Sequence, residues 1–169
     1  LGPDAKRTVA ELVPQIIEWA RGPMAELAAG CLDDPRVRLI EEDVGLVIAN
    51  ARATYDAILL DVDNGPDGLV WQENDRIYSR QGLLAAREAL RPGGVLAIWS
   101  AGPDPAFAAR LRKAGFDVEE VAVRARSNGK GAKHVIWFAR QAKRAGAAPD
   151  PAAGPRTGPR TAPGRAGRG

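Results

Sequence analysis

Acidic side chains follow three of the predicted strands, at the points where those strands end. Glu11 lies near the end of RTVAEL, Asp43 comes soon after VRLIE, and Asp61 ends AILLD. An ionised carboxylate accepts hydrogen bonds from hydroxyl or amino groups, attracts cations and can take up a proton. The three acids together indicate a site for a polar ligand with hydroxyls, amines or both, whereas each acid alone could simply cap the following helix.

Two further polar side chains follow the third of these acids within three residues. Asp63 and Asn64 stand in the run DVDNGP, which leads from the apolar strand into a Gly-Pro turn. A carboxylate and an amide in a loop at the end of a strand can hydrogen-bond a ligand held at that edge of the sheet. They are therefore candidate substrate contacts next to Asp61.

The elements that must position these acids alternate between strand and helix patterns. Strands are predicted over 7–12, 37–41, 57–61, 95–100, 116–125 and 133–141, and helices over 14–27, 44–52, 79–90 and 105–114. Alternation of this kind predicts an α/β fold with a mostly parallel sheet, and the hairpin-like link RSNGKGA makes the last strand antiparallel. Because ligands bind at the carboxyl ends of parallel strands, the acids should share one rim of the sheet.

The chain divides by composition into a folded part and a tail. Residues 1–140 carry the alternating pattern, whereas residues 141–169 consist almost entirely of Ala, Gly, Pro, Arg and Thr, which predicts disorder. The tail holds six Lys and Arg against one Asp, a net +5, while the whole chain is +3, so residues 1–140 are net −2. The basic pI of 9.4 therefore comes from the tail, and the net charge of residues 1–140 argues against a basic groove in the folded part.

Targeting and metal-binding signals are weak in this sequence. No apolar run approaches the ~20 residues that span a bilayer, and residues 1–20 show no signal peptide. The single cysteine, Cys31, suits the reducing cytoplasm, and one Cys with one His makes a metal site of these ligands unlikely to form. The start at Leu1 suggests a fragment, a processed chain or a misplaced start.

Five stretches of the chain carry a family resemblance. They are TVAELVPQIIEWAR (8–21), DDPRVRLIEEDV (33–44), YDAILLDVDNGP (55–66), RIYSRQGLLAAREALRPGGVLAIWS (76–100) and KAGFDVEEVAV (113–123). The series resembles the Rossmann-like fold of class I S-adenosylmethionine-dependent methyltransferases and, within it, the spermidine synthase-like branch, the polyamine aminopropyltransferases. The resemblance implies aminopropyl transfer from decarboxylated S-adenosylmethionine to putrescine, without a metal.

The resemblance also implies a role for each candidate residue. Glu11 would hold both ribose hydroxyls of the nucleoside, and Asp43, with Val44 beside it, would contact the adenine amino group. Asp61 would be the catalytic acid that attracts the amine substrate and removes its proton, and Asp63 and Asn64 would help to place that amine. Tyr78 and Trp71 could wall the site, although packing is the more common role of such aromatic residues.

The chain departs from the family pattern in two places. The family run Asp-Ser-x-Asp-Pro is replaced by DVDNGP, which shifts the second acid by one position. The first strand and its Gly-rich loop, which the family places between the strands ending at Glu11 and Asp61, are not found in residues 1–169. Backbone groups left unpaired there cost ~1–3 kcal/mol each if they stay dry. We therefore expect cofactor binding and transfer by this chain alone to be impaired.

Two rival functions stay open on the sequence. One is methyl transfer from ordinary S-adenosylmethionine, which shares the fold. The other is a catalytically inactive interaction protein whose basic tail contacts RNA, since a polycation binds phosphate in a salt-dependent way. Otherwise the expected partners are a small polyamine and a second copy of the chain in a homodimer, with no nucleic acid at the folded part and no membrane.

Overall fold

The structure, a computed structural model, describes residues 2–61, 75–126 and 131–141 of the chain. Asp63, Asn64, Trp71 and the tail beyond Gln141 lie outside the described residues. The described helices and strands are β1 (Arg7–Ala10), α1 (Pro14–Arg21), α2 (Ala25–Ala28), a 3-10 helix (Cys31–Asp33), β2 (Val37–Ile40), α3 (Val44–Ala49), β3 (Tyr55–Leu60), α4 (Asp75–Tyr78), α5 (Arg80–Ala89), β4 (Leu90–Ser100), α6 (Pro105–Lys113), β5 (Phe116–Arg124) and β6 (Lys133–Gln141).

The strands form two sheets within the described residues. β1 and β2 make a parallel pair, and the other four strands are ordered β3-β4-β6-β5. β3 and β4 are parallel, while β6 runs antiparallel to both β4 and β5, which confirms the prediction of an antiparallel last strand. In the described part, β1 is paired only with β2 and β3 only with β4, so one edge of each of these two strands has no strand partner.

The hydrophobic core lies on one face of the four-stranded sheet. Along β3, Ile58 and Leu60 are buried, while Leu59, which points to the other face, is 76% exposed. Helices α4, α5 and α6 contribute to the buried face, where Phe107 contacts Tyr78 edge-on at 5.7 Å and Trp137 at 5.1 Å between ring centroids. Alternation along the strands therefore fixes which side chains face the helices.

Local sequence signals explain where the helices begin and end. Asp104 caps α6 as predicted, because its Oδ1 accepts the Phe107 backbone N–H at 2.8 Å and Pro105 occupies the first turn. The periodic stretch predicted as one helix from Pro14 to Leu27 is instead two helices. α1 ends before Gly22-Pro23, since proline restricts the residue before it and cannot donate to a continuing helix.

The helices in the described ranges are short or polar. None of them is both long enough and apolar enough to cross a membrane.

Candidate functional site

Glu11 stands at the end of β1, where the chain turns into α1. Its backbone N–H donates to the Ile40 carbonyl at 3.0 Å, which extends the β1–β2 ladder by one bond. Its side-chain Oε1 accepts the Val13 N–H at 2.9 Å. Because a carboxylate has two oxygens and about four acceptor positions, this local bond leaves Glu11 able to accept further donors.

Asp43 is fixed at the beginning of α3 by two backbone donors. Its Oδ1 accepts the N–H of Gly45 at 2.6 Å and the N–H of Leu46 at 3.3 Å, as an N-cap does. Val44 follows as the first helical residue and packs against the core. Asp43 therefore caps α3, which was the alternative to ligand binding that the sequence left open. Both capping hydrogen bonds are accepted by Oδ1.

The second oxygen of Asp43 pairs with an arginine from another element. Oδ2 lies 3.3 Å from Arg76 Nη2, and the side chains are 26% and 71% exposed, respectively. Sequence analysis missed Arg76, which is separated from Asp43 by 33 positions and belongs to the short helix α4. No local pattern in the sequence signals a contact over that distance.

A cleft of about 330 Å³ opens beside this ion pair. Its walls come from α3, α4 and α5 and include the apolar side chains of Leu46, Ile77 and Ala85, with Asp43 and Arg76 as its charged groups. The volume is at the lower end of the range for small-ligand pockets, which also combine apolar walls with a few polar groups. The cleft therefore combines apolar walls with one acidic and one basic side chain.

Asp61 directly follows β3 and its side chain is exposed. Glu11 and Asp43 follow the paired parallel strands β1 and β2, so both residues lie at the carboxyl-end edge of the same sheet. Asp61 follows a strand of the other sheet, and within the described residues no ladder joins the two sheets. Strand pairing alone therefore does not place Asp61 beside Glu11 and Asp43.

The remaining candidate groups are structural where they are described. Tyr78 is 1% exposed and packs in the core against Phe107, so it does not line an open site. The residues described include no cluster of three His, Cys, Asp or Glu side chains that could hold a metal ion.

Comparison with protein families and curated proteins points to one group of enzymes. Residues 5–104 match the spermine/spermidine synthase domain. The polyamine aminopropyltransferase of Mycobacterium tuberculosis is 34% identical over 96 residues, which are 55% of this chain and 18% of that protein. Polyamine aminopropyltransferase 2 of Pseudomonas aeruginosa is 30% identical over 97 residues, which are 55% of this chain and 26% of that protein. The chain thus spans less than a third of the length of these relatives.

Solved structures share the fold at low sequence identity. Spermidine synthase from Thermotoga maritima superposes with a TM-score of 0.62 at 18% identity, over 80% of this chain and 45% of that one. A spermidine synthase in complex with the transition-state analogue AdoDATO gives 0.61 at 18% identity, over 80% and 44%. A methyltransferase from Pyrococcus furiosus gives 0.55 at 20% identity, over 82% and 64%. These similarities confirm the predicted Rossmann-like class I methyltransferase fold.

Proposed function

Because the chain belongs to the spermine/spermidine synthase domain family, we propose that it carries the acids for aminopropyl transfer from decarboxylated S-adenosylmethionine to putrescine. The observation that carries the proposal is the family match over residues 5–104, which contains Glu11, Asp43 and Asp61. The AdoDATO complex of a structurally similar spermidine synthase supports a nucleoside-containing donor.

The nucleoside part of the donor fits the described residues. The adenine ring lies in the cleft beside Asp43, which accepts a hydrogen bond from its amino group, and Glu11 accepts from the ribose hydroxyls. The apolar walls of the 330 Å³ cleft and the presence of Asp43 in its lining support this placement. An adenine ring needs apolar side chains against its faces and polar groups at its edge, and the lining of the cleft contains both kinds of side chain.

Asp61 acts on the amine substrate in this proposal. Its carboxylate attracts the ammonium group and accepts the proton that the nitrogen loses, since a protonated amine is not a nucleophile. The nitrogen then attacks the methylene carbon next to the sulfonium. The new C–N bond forms as the C–S bond breaks, and 5′-methylthioadenosine leaves with the electron pair on sulfur. Asp63 and Asn64, outside the described residues, help to orient the amine.

The test is spermidine formation in single-turnover reactions at high protein concentration, followed by mass spectrometry. Asp61→Asn should lower the rate by roughly 10²–10⁴-fold, the usual contribution of a general base, with the fold unchanged. The matched control is Asp56→Asn on the same strand, roughly 16 Å away along β3, where the carboxylate is exposed and pairs with Arg91 at 2.7 Å. An undiminished rate of spermidine formation in Asp61→Asn, or no spermidine from the unsubstituted chain at saturating donor, would overturn the proposal.

Residues 1–169 by themselves are proposed to bind the donor weakly. In the described part, β1 and β3 each leave an edge without a strand partner, and Leu59 beside one edge is 76% exposed. A ligand site that spans two sheets without a shared ladder is poorly preorganised, which lowers affinity. Titration calorimetry should therefore detect no micromolar binding of decarboxylated S-adenosylmethionine, and a micromolar dissociation constant would contradict this point.

Methyl transfer from S-adenosylmethionine is the second candidate function. The similarity to the Pyrococcus furiosus methyltransferase favours it, because the same fold supports that chemistry. The two donors differ by a carboxylate, so the same assay run with each donor separates the two functions. Methylated product from S-adenosylmethionine, with no spermidine from the decarboxylated donor, would favour this alternative.

The cellular context completes the proposal. A small polyamine is the acceptor and two copies of the chain form a dimer in the cytoplasm, where a free exposed cysteine such as Cys31 stays reduced. The rival interaction protein is distinguished by RNA binding that weakens with salt and disappears on deletion of residues 141–169.

A further inference from the structure

The Asp43–Arg76 pair places an acceptor and a donor side by side at the cleft. Asp43 Oδ1 is engaged by the Gly45 and Leu46 amides, so Oδ2 is the oxygen next to Arg76 Nη2, at 3.3 Å. Gly45 allows this close arrangement, since a Cβ there would lie 2.9 Å from Asp43 Oδ1 and 3.4 Å from Ile77 Cγ1. The carboxylate is thus held by α3 while its other oxygen points to the guanidinium.

The guanidinium can also contact a bound ligand. Arg76 lines the same cleft as Asp43 and its side chain is 71% exposed. A guanidinium has five N–H donors in a planar fork, so Arg76 can donate to more than one acceptor at the same time. An exposed ion pair of this kind adds little to stability on its own, and here both of its members line the cleft.

We infer that Arg76 is a specificity-determining residue that donates a hydrogen bond to a ring nitrogen of adenine beside the amino group held by Asp43. The inference rests on the proposed function, which puts adenine in this cleft. Adenine presents an amino donor next to an acceptor nitrogen on each of its edges, N1 on one and N7 on the other. A neighbouring carboxylate and guanidinium match that pattern, one accepting and one donating.

The experiment measures dissociation constants by ligand titration in NMR, which reaches millimolar values. The probes are adenosine, 1-deazaadenosine and 7-deazaadenosine, which differ only in the loss of one ring acceptor. The unsubstituted chain should bind one of the two deaza analogues about tenfold more weakly than adenosine, the size of one charge-assisted hydrogen bond. That analogue identifies the nitrogen that Arg76 contacts.

The variants assign the effect to one side chain. Arg76→Met should bind adenosine about tenfold more weakly and lose the discrimination against the deaza analogue. Arg76→Lys keeps the charge without the planar fork, so it should recover only part of that discrimination. Arg80→Met is the matched control, because Arg80 is exposed on α5 and does not line the cleft. Amide spectra of each variant establish that it is folded.

Asp43→Asn separates failure of this inference from failure of the proposed site. Asn keeps the Oδ1 acceptor that caps α3 but replaces Oδ2, the oxygen proposed to accept from adenine, with an amide donor, so it should weaken adenosine binding. If Asp43→Asn weakens binding while Arg76→Met and both deaza analogues change nothing, the role of Arg76 is refuted and the adenine site stands. If adenosine does not bind at millimolar concentration, or Asp43→Asn has no effect, both are refuted.

Discussion

Asp34 and Arg36 form the most tightly bonded pair of charged residues described, at the entrance to β2. Arg36 Nη2 donates to Asp34 Oδ2 at 2.6 Å, Arg36 Nε donates to Oδ1 at 2.9 Å, and the Arg36 backbone N–H also donates to Oδ1 at 2.9 Å. The side-chain hydrogen bonds from Arg36, reinforced by its backbone amide and its charge, hold the pKa of Asp34 well below its usual range. The pair precedes β2, whereas Asp43 follows it, so it fixes the turn at the far end of the strand.

This pair predicts a specific response to acid. A carboxyl whose pKa is lower in the folded state stabilises the fold above its unfolded-state pKa, near 3.9, and that contribution is lost as the pH falls below it. The free energy of unfolding should therefore fall more steeply below about pH 4 in the unsubstituted chain than in Asp34→Asn. Arg36→Gln should flatten the curve in part, because it removes the guanidinium donors and their charge while the backbone N–H still donates to Asp34. Urea titrations across this range check both, and parallel curves would contradict the account.

At the scale of elements, the junction of α4 and α5 depends on Gly82. A Cβ at this position would overlap the backbone carbonyl oxygens of Arg76 and Ile77. Ser79 caps α5 at the same point, with its Oγ accepting the Gly82 N–H at 3.1 Å. The close approach brings α4, and with it Arg76, to the edge of the cleft.

Gly82→Ala should destabilise the protein by about 1–3 kcal/mol, the usual cost of overpacking against atoms that cannot move. The loss is expected although alanine is the better helix former by about 1 kcal/mol. Gly102→Ala is the control, since a Cβ there meets nothing within 4 Å, and it should stay within about 0.5 kcal/mol. Both are measured by urea unfolding. A neutral or stabilising Gly82→Ala would show that α4 does not pack this closely on α5.

Elements that follow local rules were predictable from the sequence, and contacts between distant elements were not. The stretch KHVIWFARQ predicted β6 with the bounds Lys133–Gln141 that the structure has, and Asp104-Pro105 predicted the start of α6. The helix predicted from Pro14 to Leu27 was wrong in its length, because periodicity carried the prediction across a Gly-Pro break. The pairing of Asp43 with Arg76 depends on how α3 and α4 meet, which no local pattern encodes.

At the scale of the whole molecule, the account depends on acids from two sheets serving one nucleoside and one amine. Glu11 and Asp43 follow β1 and β2, while Asp61 follows β3. Within the described residues, no strand pairs with both β1 and β3. The family resemblance places the family's first strand between the strands that end at Glu11 and Asp61.

Amide chemical shifts of the ¹⁵N-labelled chain on addition of 5′-methylthioadenosine test this arrangement most directly. Val13 and Gly45 report on the two nucleoside acids, since their N–H groups donate to Glu11 and Asp43, and Asp61 reports through its own amide. The account predicts that all three amides shift along one binding curve, at millimolar affinity or tighter. Shifts confined to another surface, such as the basic cleft lined by Lys6, Arg36 and Arg38, or no shifts at all, would contradict it.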